Sequence, residues 1–484
     1  MTITFTMEIG KVYFDGARDF AGLEAGAYRI ALSVGQEVLR WALEGADRIL
    51  HDERDKSRYR DKGQRKTSLK TMVGDVDYRR HVYEDRAAVE QPRSVHLLDQ
   101  TLGINKIGLM SANVCQMAAQ AVCEGSYRNA ALILSAATGE HISHQGVWNI
   151  IQRLGEGQQE VTERHTALAE QHQGLGELES KLLYEEDDGV WLALQGKSRK
   201  EHGPKKEMKV GIAYDGVRWE RTVSGKRRIL DEKVAYASFE SAADFRRHKE
   251  GMVASRYRMD EVQLKVINGD GAGWVQGKNS DTSIYALDES HRNKKLTECV
   301  KDKDFAALLR DLLFKNDIST LLSCLEAQIN SVQDEPEREK LSELYRYYSE
   351  NRDSLLSCYN RGQEIPETRQ PGVIHHAQLG SMESNVFTLI GNRMKGRRAC
   401  WSIQGANHLA LLLCRKHTIG FEGLFAPLPA LPKPSKPEEW ETAPILSASK
   451  VPERIGHGYE FQTTLTTQNA PHWLAQFVRR LNAF

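Results

Sequence analysis

Three acidic side chains stand where an acid is expensive. Asp188 lies in Leu182-Leu-Tyr-Glu-Glu-Asp-Asp-Gly-Val-Trp-Leu-Ala-Leu194, a run that is apolar on both sides of its acids. Asp270 closes a run whose alternating Val262, Leu264 and Val266 mark a buried face, and Gly269 and Gly271 flank it. Glu383 shares a helical stripe with Val386, Phe387, Ile390 and Met394. An inward carboxylate with no partner costs on the order of several kcal/mol. A divalent cation is one such partner, because Mg²⁺ takes hard carboxylate oxygens and completes its shell with waters and substrate phosphate. Two such ions about 4 Å apart can activate an attacking oxygen and stabilise a leaving one at a phosphodiester. Each acid also has an ordinary reading: a turn residue before glycine, favourable charge in a helix's first turn, or part of a solvated acidic face over Glu185–Asp188. Their joint placement, on two strands and a later helix, favours the shared role.

A fourth element stands nearby in the chain. Leu287-Asp-Glu-Ser-His291 follows the short apolar run Ser283-Ile-Tyr-Ala286. An Asp and a His three apart at a strand-to-helix junction can face one cleft, with the histidine on a phosphate. The alternative is a helix N-cap beside a surface histidine. Adjacent strand residues point to opposite faces, so only one of Asp187 and Asp188 can face such a site. The Gly-Val that follows directly favours Asp188.

The elements that must position these groups follow from periodicity. Residues 20–53 carry Leu23, Tyr28, Ile30, Val38, Leu39, Ala42, Ile49 and Leu50 at helical spacing and end in the charged run HDERDKSRYRDKGQRK. Residues 67–85 predict a β-hairpin turning at Val73-Gly-Asp-Val76. The stretch 97–155 is helical. Its last two helices have the layout of a helix-turn-helix: one ends at Ala137-Thr-Gly139-Glu140, and Ser143 is placed to N-cap the next. That second helix buries Val147, Ile150, Ile151 and Leu154 and offers His144, Gln145, Asn149, Gln152 and Arg153 to a major groove. The alternative is an ordinary helical hairpin. From 181 the period becomes alternating, with strands over 182–194, 208–214 and 233–239 joined by lysine-rich loops, then a helix over 241–257 and the strand 262–270. This order predicts a mixed α/β sheet. Residues 292–362 are charged, leucine-bearing and strand-poor, a helical insertion. Helices follow over 381–395 and about 405–415.

Composition bounds the class. The chain has 484 residues, 66 basic and 66 acidic side chains cancelling to zero, and 40% hydrophobic residues. Mean hydropathy is −0.53. That profile excludes disordered and collagen-like classes and leaves no apolar run long enough for a membrane span. Cys115, Cys123, Cys299, Cys324, Cys358, Cys400 and Cys414 form no CxxC pair, which predicts reduced thiols rather than a disulfide frame or zinc knuckle. No secretory signal is legible at the N-terminus. Neutrality means that any basic surface must be a patch, and clusters occur over 197–209, 226–228, 246–249, 292–295 and 393–398. Eight of the 13 prolines lie beyond residue 425, which marks an extended linker.

Asp188-Gly-Val, Gly269-Asp-Gly-Ala-Gly-Trp274 and Gly380-Ser-Met-Glu-Ser384 closely resemble the DDE transposases of bacterial insertion sequences. The likeness is nearest to the ISLre-type group, related to Mutator-like elements, and covers nearly the whole chain. It implies an RNase H-like mixed sheet with helices as an α/β catalytic domain, interrupted by an all-α insertion and preceded by a mainly α DNA-binding region. Asp188, Asp270 and Glu383 would then be catalytic and hold two Mg²⁺ (or Mn²⁺) ions. Asp288-x-x-His291 matches a signature found between the second and third acids of Mutator-like enzymes, and Trp401 follows the family's pattern after the glutamate. On this reading the chain divides into 1–95 (helix and hairpin), 96–178 (helix-turn-helix region), 179–291 (catalytic, first part), 292–375 (helical insertion), 376–424 (final catalytic helices) and 425–484 (proline-rich linker and tail). DNA would be held by Ser143, His144, Gln145, Asn149 and Arg153 and by Lys205, Lys206, Arg393, Lys395, Arg397 and Arg398. The implied activity is cleavage and strand transfer at terminal inverted repeats of double-stranded DNA and into target DNA. Two DNA ends need two active sites, which predicts a homodimer or larger assembly, cytoplasmic, nucleoid-associated and without membrane attachment. A metal-dependent nuclease that does not join strands, or a catalytically inactive DNA-binding regulator, are the alternatives.

Overall fold

Asp19 starts the first helix by accepting the Gly22 N–H at 2.9 Å, and α1 then spans Phe20–Glu53. The computed structural model describes residues 19–87, 93–173, 176–223, 225–271, 274–275, 282–362, 364–396 and 398–426. The chain forms two units, Met1–Arg153 with Phe421–Phe484, and Leu154–Gly420. The proline-rich stretch beyond 426 lies outside the described residues.

In the first unit, β1 (Tyr59–Thr71) and β2 (Gly74–Asp85) form a hairpin. β3 (Arg93–Val95), α2 (Leu97–Leu102), β4 (Lys106–Ile107) and β5 (Met110–Ser111) follow, and the sheet order is β3-β2-β1-β5-β4. The charged run after α1, expected to close that helix, is instead largely strand. Its charges are satisfied across the hairpin by Lys66–Asp77 (2.7 Å), Lys62–Glu84 (2.7 Å) and Arg58–Asp85 (2.9 Å). Such cross-strand pairs contribute roughly 0.2–1 kcal/mol each. The turn falls at Met72-Val73, with Gly74 at φ +103, slightly earlier than the hydrophobic pattern suggested. Ala46, Leu69, Val76, Tyr78 and Leu98 make the core beneath α1. α3 (Ala112–Glu124) and α4 (Tyr127–Thr138) then pack on each other, and Gly139 ends α4 in the left-handed conformation. α5 (His144–Glu170) follows, its first turn closed by Ser143 Oγ accepting from the Gly146 N–H at 3.0 Å.

The second unit is built on one mixed sheet. Its elements are β6 (Leu182–Ala193), α6 (Gly196–His202), β7 (Lys205–Tyr214), β8 (Val217–Thr222), β9 (Gly225–Leu230), β10 (Val234–Ser238), α7 (Ala242–Ala254), β11 (Leu264–Gly269) and β12 (Ser283–Leu287). The strand order is β10-β7-β6-β11-β12. β7 is antiparallel to both its neighbours, β10 and β6, whereas β6, β11 and β12 run parallel. The expected lysine-rich loops are replaced in part by the longer β7 and by the β8–β9 hairpin, which has its own two-stranded sheet.

The strand-poor stretch is helical as predicted: α8 (Glu289–Cys299), α9 (Lys303–Phe314), α10 (Ile318–Ser331), α11 (Glu335–Glu350) and α12 (Arg352–Leu355). Leu296, Leu309, Leu321, Leu325, Leu341, Leu344 and Tyr348 form its core, joined there by Leu287 from the end of β12. After it come α13 (Met382–Val386), a π turn over Phe387–Gly391, α14 (Asn392–Met394) and α15 (Ile403–Thr418). Among the described residues no helix is long and apolar enough to cross a membrane.

α5 continues well past residue 155, where the helical stretch was expected to end. Gly155 is the reason α15 can lie against it: a Cβ at that position would come within 2.2 Å of the His408 Cβ. Gly157, one short step along the same helix, has nothing within 4 Å of such a Cβ. Gly155→Ala is therefore expected to lower stability by about 1–3 kcal/mol through overpacking. Gly157→Ala should raise it by roughly 0.5–1 kcal/mol by removing a helical glycine. Urea denaturation of the two variants checks this opposite pair of signs.

Candidate active site

Strand register builds the site. β11 pairs with β6 so that Gly269 is level with Asp187, and with β12 so that Gly269 is level with Leu287. One residue further along each strand brings Asp188, Asp270 and Asp288 into one row at the carboxyl ends of β11 and β12. Two residues back along the same face stand Glu186 and Asn268. Side chains alternate along a strand, so Glu186 and Asp188 face one side of the sheet and Glu185 and Asp187 the other.

The front face is a connected polar network. Asn268 Nδ2 donates to Glu186 (2.9 Å) and to Asp288 Oδ2 (3.1 Å), and Tyr214 donates its hydroxyl proton to Glu186 at 2.7 Å. Asp288 caps α8 by accepting the His291 N–H at 3.0 Å, and its Oδ1 lies 3.1 Å from the His291 Nδ1. The N-cap reading of this pair holds, and the cap also sets the His291 ring beside the acids. Donor atoms of Asp188, Asp270 and His291 all lie within 4.8 Å of one another, a group able to hold a metal ion. Tyr347 of α11 donates to the Asp270 carbonyl at 3.1 Å, so the helical segment braces this corner.

Electrostatics follow from crowding. Burial pushes the Asp188 carboxyl above its ordinary value; the Gly189 N–H at 2.6 Å and His291 pull it back, and Asp270 and Asp288 push it further up. The hydrogen bond to Asp288 raises His291, against the effect of burial. Burial also opposes ionisation of Asp288, yet the bonds from His291 and Asn268 hold it below the usual carboxylate range. Burial raises Glu186, with Tyr214, Asn268 and Gly380 opposing.

The back face is a closed ion cluster. Lys249 of α7 reaches Asp187 at 2.7 Å and Glu185 at 2.8 Å, and Lys265 lies 3.2 Å from Glu185. Burial disfavours the Lys249 ammonium, but the two carboxylates outweigh it and raise its pKa. Glu185 is likewise penalised by burial and still held down to about 2 by Lys249 and Lys265. Gly211 makes room for this cluster, since a Cβ there would meet Asp187 Oδ1 at 2.2 Å. The choice between neighbouring acids is thereby explained: Asp187 is engaged behind the sheet and Asp188 faces Asp270.

Glu383 differs from expectation. It is exposed on α13, outside the group formed by Asp188, Asp270 and His291. The π turn adds a residue to the helical phase, so the buried stripe is Met382, Asn385, Leu389, Ile390 and Met394, and Phe387 is 62% exposed. The entrance to α13 is nonetheless tied to the front face, because the Gly380 and Ser381 N–H groups each donate to Glu186 at 3.0 Å. Glu186 and Asn268 are the residues that sequence reasoning missed. Their signal was spacing, two residues before Asp188 and two before Asp270.

The remaining expected residues divide. Trp401 is buried, donates its indole N–H to the Met394 carbonyl at 2.8 Å and pairs through its backbone with Ala193 beyond the acids of β6. Arg393 lies over its ring at 5.3 Å. Lys395 and Arg398 are exposed, and Arg397 lies outside the described residues. Lys205 is exposed and Lys206 half-buried, both on β7 rather than in a loop. Lys249 and Arg292, counted in basic clusters, are buried inside the unit. On α5, His144, Gln145, Asn149 and Arg153 are exposed, but Gln152 is buried at 8% exposure and does not belong to the offered surface.

Comparison with known proteins bears on this geometry. The model of an uncharacterised protein family, UPF0236, matches residues 15–422. The chain belongs to the UPF0236 family. Similar relatives include a UPF0236 protein of Caldanaerobacter subterraneus subsp. tengcongensis, 24% identical over 394 residues, which cover 79% of this chain and 78% of the relative. Another is a UPF0236 protein from the vanSb 3′ region of Streptococcus gallolyticus, 24% identical over 430 residues, which cover 87% of this chain and 88% of the relative. The match to the UPF0236 model takes in both units and every acid described above.

The two faces of β6 should respond oppositely to neutralisation. Lys249→Met strands the buried Asp187 and leaves Glu185 with Lys265 alone, and is expected to cost about 3–5 kcal/mol. Asp188→Asn removes a charge already disfavoured by its surroundings and should cost no stability at neutral pH. Chemical denaturation of both variants measures the contrast.

Proposed function

We propose that this protein is a DNA transposase with an RNase H-like catalytic domain, cleaving and joining strands at the ends of a mobile element. The observation that carries the reading is the row formed by Asp188 on β6 with Asp270 and Asp288 just past the ends of its parallel neighbours β11 and β12, with His291 beside it. Parallel β-strands present ligand sites at their carboxyl ends, and Asp270 and Asp288 stand at two such ends. A mixed sheet followed by an all-α insertion agrees with the domain order implied by the resemblance to insertion-sequence enzymes. The relatives add support of another kind: one Caldanaerobacter protein carries a compound name of eleven locus designations, and a second carries four. One sequence borne at many loci is what a self-copying or self-moving element leaves behind.

The residues fit a divalent cation. Asp188 and Asp270 are oxygen donors close together; burial first, and then the neighbouring Asp270 and Asp288, raise the Asp188 pKa, and a bound cation would offset both effects. Mg²⁺ or Mn²⁺ would be held by these two carboxylates, with Glu383 as the proposed third, in a site for two ions. The bound ions would supply charge neutralisation at the scissile phosphodiester and at both its reacting oxygens.

The chain's own groups do the rest. His291, a nitrogen donor that Mg²⁺ takes poorly, is assigned to the phosphate: Asp288 orients its ring and raises its pKa, so the imidazolium can donate to a phosphate oxygen. Glu186 holds the loop entering α13 and thereby the reach of Glu383. Arg393, braced on Trp401, and the exposed Lys205, Lys395 and Arg398 neutralise backbone phosphates without regard to sequence. Sequence recognition is assigned to His144, Gln145, Asn149 and Arg153 at the start of α5.

The test uses the full-length protein and linear DNA carrying the repeats that bracket its reading frame. With Mg²⁺ or Mn²⁺ the wild type should cleave at the repeat ends and join them to a second duplex. Asp188→Asn, Asp270→Asn and Glu383→Gln should each lower both products at least about a hundredfold while end binding persists. Full activity in Asp188→Asn or Asp270→Asn would overturn the assignment. Cleavage without joining would mean a nuclease, and repeat binding without cleavage in either metal a regulator.

A further inference from the structure

Far along the chain from the acidic row, the first unit contains a second group of ligating side chains. His51 lies in the last turn of α1, His81 on β2 and Asp61 on β1, and one donor atom from each falls within 4.8 Å of the others. The two imidazoles stack with centroids 4.1 Å apart.

Each histidine is held from behind. His81 Nδ1 lies 2.6 Å from Oδ2 of Asp47, a buried carboxylate one helical turn before His51 that also accepts the His81 backbone N–H. His51 Nδ1 lies 3.2 Å from the Tyr83 hydroxyl. In both rings Nδ1 is engaged and Nε2 is the nitrogen left to present. A ring nitrogen fixed by a carboxylate or hydroxyl while the other faces a metal is the usual environment of a metal-bound histidine. The third donor is aimed by a backbone irregularity. The β1–β2 register shifts between Asp61 and Gln64, Gly63 there takes φ +83, and its N–H donates to Asp61 Oδ1 at 2.8 Å. Bulges of this kind re-aim a side chain.

We infer that His51, His81 and Asp61 form a zinc site that clamps the end of α1 to the β1–β2 hairpin. Two imidazole nitrogens and one carboxylate oxygen are Zn²⁺ donors at neutral pH, with water completing a tetrahedral shell. Asp47 and Asp52 add negative charge around it, against the single nearby guanidinium of Arg54, which lies over the Tyr83 ring. The site is independent of the proposed catalytic activity.

The experiment uses the full-length protein carrying Asp188→Asn and Asp270→Asn, so that the acidic row contributes no binding. After chelator treatment it is titrated with Zn²⁺ against a chromophoric competitor, and its thermal melting is followed with and without the ion. One equivalent should bind and raise the melting temperature. Asp61 is exposed, so Asp61→Asn should fold normally, bind at least tenfold more weakly and lose the thermal shift. Asp47→Asn should weaken binding about ten- to hundredfold by freeing the His81 ring. Failure to take up one equivalent, or equal affinity in the parent, Asp61→Asn and His51→Gln, would overturn the site.

Discussion

A strand can carry four consecutive acids through the middle of a sheet only if each face neutralises its own pair. In β6 the back pair, Glu185 and Asp187, is closed by Lys249 and Lys265, while the front pair, Glu186 and Asp188, is left to hydrogen bonds and to its neighbours. The burial of Lys249 is what permits this asymmetry. With both lysines drawn to the back face, neither reaches the acids of the front, where Asp188 and Asp270 stand close enough to share a metal ion.

Glu186 sits at the centre of the front face without being one of the donors there. It receives bonds from β7 through Tyr214, from β11 through Asn268 and from the entrance to α13 through Gly380 and Ser381. A buried carboxylate surrounded by donors from separate elements fixes their mutual positions, because each donor lost leaves more of a buried charge uncompensated. The helical insertion contributes a similar brace from outside, since Tyr347 holds the Asp270 carbonyl and Leu287 carries the end of β12 into the insertion's leucine core.

Much of this was legible before any coordinates. The alternation in 182–194, 208–214 and 262–270 corresponds to β6, β7 and β11, and the Asp-x-x-His spacing correctly implied a pair at a strand-to-helix junction. What misled was local. The charged stretch read only as the end of α1, because Lys62 and Lys66 find their acids on the facing strand, at Glu84 and Asp77. Glu383 kept a continuous helical phase on paper, and a single π turn moved it to the outside. The helical stretch expected to end at 155 runs on to Glu170, and Gly155 inside it is a packing notch for His408.

Periodicity and residue type determined the kinds of elements present and the set of acids worth attention, because hydrophobic burial acts on neighbours a few residues apart. Tertiary structure alone decided which acid of an adjacent pair faces the site and which is sealed to a lysine. It also joined His51 to His81 and Asp61, and placed Asn268 between Glu186 and Asp288. These are relations between strands and helices distant in sequence, set by register and by bulges. A linear pattern contains neither, since pairing offset is a property of two chain segments and not of either one.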